Sequence, residues 1–347
     1  MRLFFRYQKK EIFRIVYLQP ETLFRSVEQP VEVPSEKKDE AEPLIKPSAY
    51  SSPLAENQSP TTSPSQPCGC GSMSSHNPDG AKMSSFPRSY IYAIGKVVHR
   101  FPNRSLEMEL VQATGRRPEE ETRGQSREQV IHRYLTHKDN RYIARQVCYV
   151  LNIEGLETYI LVPSDPLDID RLAEALRPAP RGGEDIDVII GRRGPLAADE
   201  MCNGLMVPIV SVDQIYSFDR DTLMKAIPKR KGVKEDQFKT SSGHLFDRIV
   251  QIADNAGATD EHRAMNYLAV RYDEIYNRTQ LMENENFTLA GIEVRPSRLS
   301  GARKVLDVIF SYENLKANRA TQKWFVRVDV TEEFPFLVTP MQQYFER

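Results

Sequence analysis

Cysteine is scarce in this sequence, with four in 347 residues. That is too few for a disulfide framework in so long a chain, and it points to a reducing, cytoplasmic setting. Charge of one sign is missing too: 47 basic side chains face 48 acidic ones, a formal charge of −1. No net field draws polyanions, so nucleic acid is not expected as a partner. Apolar residues never run uninterrupted for the roughly 18 to 20 positions a membrane helix needs, and no membrane association is expected. The opening MRLFFRYQKKEIFRIVYL is broken by charges every few positions, which excludes a signal-peptide core. A phosphate-binding GxxxxGK[ST] loop is absent. GRRGP, residues 191–195, follows an apolar run as a phosphate-binding turn does, but lacks the later glycine and helix start of a dinucleotide fingerprint.

What is present is enough for a core. Hydrophobic residues make up 40% of the chain, which allows one large domain or two smaller ones. Residues 1–29 form a short aromatic and basic segment to which no role is assigned. Residues 30–88 differ in kind, since ten of the 23 prolines fall between positions 30 and 87 among many serines. Such a stretch buries too little apolar surface to offset backbone ordering and is expected to be a disordered linker. The folded body is expected over residues 89–347, as one unit or as subdomains 89–218 and 219–347.

Strand signals lead that body. SYIYAIGKVV alternates and is rich in β-branched and aromatic residues. In SREQVIHRYL, Ser126 and Gln129 are spaced as a capping box for a helix. VCYVLNIEGLETYILVP reads as a hairpin turning at Glu154 and Gly155. DIDRLAEALRP is a short helix, DIDVIIG a buried strand, and GLMVPIVSV a strand that Pro208 places at an edge or bend. Then SSGHLFDRIVQIADNAG gives a helix with Ser241 or Ser242 as N-cap and Gly257 as its stop. A second helix, capped by Thr259, runs on to Met282. FTLAGIEV, RKVLDVIFSY and KWFVRVDV follow without intervening helices, which favours an antiparallel meander. The fold class is α+β: antiparallel sheets with packed helices behind a disordered linker.

Few residues suggest chemistry. Cys68 and Cys70, in the CGCG tetrad, could share a zinc ion only with further ligands, of which Cys202 in the folded body is one and His76 the only other nearby. The plainer reading is an idle hinge. Cys148 fits core packing, and Cys202 is the better candidate for a reactive thiol. Asp254, Asn255, Asp260, Glu261 and His262 could form an acid–base, metal or binding cluster. On a helix, however, Asp260 and His262 lie about 200° apart, so a cap explains them more simply. Arg295, Arg298, Arg303 and Lys304 surround a proline turn opposite Asp329, Glu332 and Glu333. They read as an anion or carboxylate pocket, or else as salt-bridged strand ends.

Several long runs, among them IYAIGKVVHRFPN, RQVCYVLNIEGLETYIL, LFDRIVQIADNAGATDEHRAMNYLAVRY, IEVRPSRLSGARKVLDVIFSY and FVRVDVTEEFPFLVTP, closely resemble the C-terminal domain of the cyanobactin maturation proteases of the PatA/PatG family. The resemblance covers residues 89–347, and the tetrad resembles the junction before that domain. In multidomain members the module follows a subtilisin-like protease that excises or macrocyclises a ribosomal precursor peptide. The module itself has no established activity. The HGT and GTSxA contexts of a subtilisin-like triad are absent here, and residues 1–88 are too short for a protease domain, so no catalytic residue carries over. The resemblance therefore implies a non-catalytic accessory module of ribosomal peptide maturation. Its partners would be a maturation protease, a precursor peptide or a second copy of itself, with no cofactor required and zinc the one metal admitted. The alternative is an enzyme of unrecognised type acting on a peptide, with zinc bound through cysteine. A third expectation is a truncated relic of a larger protease gene.

Overall fold

The computed structural model describes residues 89–115, 125–178, 184–229, 233–316 and 319–345. The N-terminal segment, the proline-rich linker and its tetrad lie outside the described residues. Five strands make a closed barrel in the order β1-β2-β3-β5-β4. They are β1 (Ser89–Arg100), β2 (Cys148–Ile153), β3 (Leu156–Pro163), β4 (Asp185–Leu196) and β5 (Pro208–Asp219). All neighbours are antiparallel except β3 and β5. Between β1 and β2 lie α1 (Arg104–Gly115), α2 (Arg127–Leu135) and α3 (Arg141–Ala144); α4 (Ile169–Ala175) joins β3 to β4. The Ser126 capping box opens α2 as the spacing predicts. The β2–β3 turn also falls at Glu154 and Gly155, both with positive φ, and Gly155 N–H donates to the Asn152 side chain at 2.8 Å.

The second half contains α5 (Arg220–Ala226), α6 (Glu235–Val250), α7 (Asp260–Arg271) and α8 (Glu274–Asn284), then a four-stranded sheet. Its strands, β6 (Phe287–Pro296), β7 (Val305–Asn314), β8 (Gln322–Asp329) and β9 (Phe336–Gln343), pair in sequence as an antiparallel meander. Two sheets with packed helices make the body α+β.

Strand parity divides the barrel between two cores. Ile91, Ala93, Leu151, Leu161, Ile189 and Val210 share one face and pack with Leu106, Leu110, Ile131 and Leu172 of α1, α2 and α4. The opposite parity, Tyr92, Ile94, Val188 and Ile190, packs with Leu245, Ile249 and Leu268 of α6 and α7 and with Val308, Phe310 and Val326 of the second sheet. Because both faces of β1 are covered, Ile91 to Ile94 are all buried. The second core runs across residue 218.

Three expectations are corrected. GRRGP is not a turn: β4 continues through it to Leu196, with a register shift between Arg193 and Leu196. Neither Ser241 nor Ser242 caps α6, which begins at Glu235 and buries both serines. Glu235 and Asp236 place negative charge in its first turn, and Phe238 extends the apolar stripe toward its start. The helix after Thr259 also stops early. Tyr272 leaves helical geometry, and its hydroxyl accepts a bond from Met341 N–H of β9 at 2.9 Å, so α7 and α8 are separate.

Candidate functional site

The polar segment between α6 and α7 is a joint. Thr259 Oγ1 accepts from His262 N–H at 3.1 Å, capping α7. Asp260 takes Lys304 at 2.8 Å and Arg263 at 3.3 Å. Asn255 donates to Ile249 O and to Asn266 Oδ1, and Asn266 donates to Tyr92 O of β1 at 2.8 Å. Gly257 O accepts from Tyr92 N–H at 2.9 Å, so the turn docks backbone to backbone on the barrel. Asp254 sits in the turn with φ 59°. His262 is half-buried, and burial lowers its imidazole pKa. These residues are brought together as a mechanical link between β1 and the helices.

The cysteines depart from expectation. Cys148, at the start of β2, and Cys202, in the loop before β5, are joined as a disulfide with Cα atoms 5.8 Å apart. Cys202 is therefore neither a free thiol nor a thiolate offered to metal, and its reading as a reactive thiol is corrected. Arg100 holds the same loop, its Nε donating to Cys202 O at 2.8 Å while Nη1 pairs with Glu157 at 2.7 Å. Nothing in a spacing of 54 residues announces such a pair. Cys68, Cys70 and His76 lie outside the described residues. Among the described residues, no group of three or more His, Cys, Asp or Glu is arranged to hold a metal.

The outer face of the second sheet carries a different arrangement. Leu306, Val308, Phe310, Val326 and Val328 point into the core, so their neighbours face away. Pairing then sets Arg295, Asp307 and Arg327 in one row across β6, β7 and β8, and Glu293, Ile309 and Phe325 in the next. Ile309 and Phe325 are nonetheless 1% and 9% exposed. The chain's end covers this row: Tyr344 N–H donates to Lys323 O at 2.8 Å, and its ring meets Phe325 edge-on at 5.7 Å. The Arg327 guanidinium lies 4.9 Å from the Phe325 ring centre and donates to Asp307 at 2.9 Å and to Ser297 at 3.2 Å. Arg295 pairs with Glu293 at 2.7 Å. Arg298, on the turn after β6, is exposed and has no hydrogen bond or ion pair among the described residues. Together with Phe345 these side chains enclose an open groove of about 810 Å³. Of the cations expected around the proline turn, the groove takes Arg295 and Arg298. Arg303 instead pairs with Asp329, and Lys304 with Asp260.

A second cluster escaped the sequence reading. Arg192 of β4 clasps Asp213 of β5 with two hydrogen bonds, at 3.1 and 3.2 Å. Glu333, from the connection between β8 and β9, lies against the same carboxyl. Burial opposes ionisation of Asp213, but hydrogen bonds from Glu333, Arg192 and Ser164 outweigh it and bring its pKa to about 2. Burial, then the bond to Asp213 and its negative charge, push Glu333 up to about 7. The two carboxyls share one proton near neutrality. Their positions are 120 residues apart, so only the fold brings them together.

Residues 232–344 match the PatG C-terminal family. The matched stretch spans α6 through β9, and so contains the whole second sheet and its groove. A solved structure described as "PatG Domain of Unknown Function" superposes with a TM-score of 0.59 at 18% identity, covering 74% of this chain and 98% of that one. At that identity the likeness is one of fold. No curated protein matches. Over residues 232–344 the chain is thus similar to the PatG C-terminal family.

Proposed function

We propose that this chain is a non-catalytic accessory module of cyanobactin-like ribosomal peptide maturation, which holds a partner polypeptide at its surface. The observation that carries the reading is the open groove on the outer sheet face, within the stretch that matches the PatG family. Its partners are a precursor peptide or a maturation protease, with self-association as the other arrangement. The setting proposed is cytoplasmic; among the described residues no helix is long and apolar enough to cross a membrane. Binding of the purified full chain to a precursor peptide and to a subtilisin-like maturation protease tests the reading. Micromolar association with either supports it. No association with peptide, protease or a second copy ends it.

The proton-sharing pair Asp213 and Glu333 favours a second reading, an enzyme acting on a peptide. Unaided hydrolysis or cyclisation of a peptide by the purified chain, lost in Asp213→Asn, would establish that reading instead. Its zinc-dependent form rests on Cys68 and Cys70, and metal analysis of the purified chain tests it.

A further inference from the structure

The groove on the β6–β9 sheet has a charge, an apolar wall and an unpartnered cation, and these define the ligand it fits. Three arginines line it against one acid, Asp307. That acid is already engaged, accepting from Arg327 at 2.9 Å. Arg295 is held by Glu293, but both side chains are 47% exposed, and an exposed pair of this kind is worth only about 0 to 1 kcal/mol. It yields readily to a competing carboxylate. Arg298 has no partner among the described residues, so the lining carries uncompensated positive charge. All three cations are arginine, whose planar fork matches carboxylate in a two-bond geometry that lysine lacks. Beside them Phe325 and Tyr344 form an aromatic floor, and Phe345, 72% exposed, offers an apolar edge. Arg295 and Arg327 stand two strand spacings apart, about 10 Å at their Cα atoms. Alternate side chains of an extended peptide repeat at roughly 7 Å, which long arginine side chains bridge.

Resting on the reading above, we infer that this groove is an acidic-peptide site. It takes an extended segment of a separate polypeptide, reads the carboxylates of its acidic side chains with Arg298, Arg295 and Arg327, and seats an apolar side chain from the same face of that segment against Phe325, Tyr344 and Phe345. Arg298 is the primary anchor, because it gives up no existing bond to bind.

The test is fluorescence anisotropy with the full chain and a fluorescein-labelled, C-terminally amidated peptide carrying two glutamates around one phenylalanine. The same peptide with glutamine for glutamate, and a glutamine version with a free C-terminus, serve as comparisons. The inference expects the acidic peptide to bind at least about tenfold more tightly than either glutamine version, the loss of one charge-assisted contact or more. Affinity should fall steeply between 50 and 500 mM salt, over which the Debye length shrinks about threefold. Arg298→Glu, an exposed substitution whose folding is verified by an unchanged thermal midpoint, should weaken the acidic peptide by at least about tenfold. Equal binding of the acidic and amidated glutamine peptides overturns the inference, and so does preference for the free C-terminus alone. If a precursor peptide binds but Arg298→Glu changes nothing, the inference falls while the accessory-module reading stands. If no peptide of any kind binds, and no protease or second copy does either, both fall.

Discussion

Replacing Glu333 by glutamine should remove a pH-dependent part of the chain's stability, and the sign follows from the two pKa values of the pair. Glu333 moves from an ordinary 4.5 to about 7 in the folded chain. Between those values the folded state keeps a proton that the unfolded state has shed, so stability falls as pH rises through that window. Asp213 moves the other way, from 3.8 to about 2, and contributes stability that is present above 3.8 and lost as pH falls toward 2. The pair's contribution therefore peaks near pH 4 and declines toward neutrality. The gap for Glu333, at about 1.36 kcal/mol per pH unit, caps the decline at about 3 kcal/mol. Glu333 is only partly buried, so solvent screening reduces this to about 1–2 kcal/mol. Arg192 and Arg263 face the same carboxyl and oppose the rise without cancelling it. Glutamine cannot titrate, yet its amide can donate to Asp213 as the protonated acid does. Urea unfolding of both proteins from pH 4 to 9 is the assay. The readout is the difference between them, because Asp187, buried and raised to about 6, contributes a slope of the same sign in both. Glu333→Gln should lack the falling limb and be more stable at pH 8 by about 1–2 kcal/mol, with an unchanged m-value. Parallel curves for the two proteins would refute the shared proton.

Gly257→Ala should destabilise by about 2–4 kcal/mol in denaturant titration: the position has φ 68°, and an added Cβ would lie 2.3 Å from Tyr92 O, backbone that cannot step aside. Cys202→Ser should cost about 2–4 kcal/mol by opening a long loop, and an unchanged unfolding midpoint would count against the bond. In a Cys68→Ala, Cys70→Ala chain, thiol titration under denaturing conditions should find none before reduction and two after it, since the only cysteines left are the bonded pair. Free thiols in the unreduced sample would show that the bond does not form.

What could be read ahead of the structure depended on how local the determining physics is. The Glu154–Gly155 turn, the Ser126 box and the Thr259 cap each arise from side chains within four residues, and each stands where the pattern put it. The break between α7 and α8 has no glycine or proline to mark it, because its cause is Tyr272 reaching Met341 on β9, 69 residues away. Strand β9 was unreadable for a related reason: Pro335 and Pro340 argue against a central strand, and an edge strand with one face exposed tolerates them. GRRGP looks like a turn by composition, yet pairing with β5 holds it extended. The same division governs the site. Arg295 and Arg298 could be singled out because a proline turn gathers basic residues in one short run. Phe325, Arg327 and Tyr344 join them only once strand register decides which residues share a face, and a shift of one residue in β8 would send Arg327 into the core and Val326 to the groove. The groove is thus a property of register more than of motif. A substitution that disturbs β7–β8 pairing, such as proline at Val326, should therefore abolish acidic-peptide binding even though it touches no groove side chain, whereas Arg298→Glu should weaken it with the sheet intact.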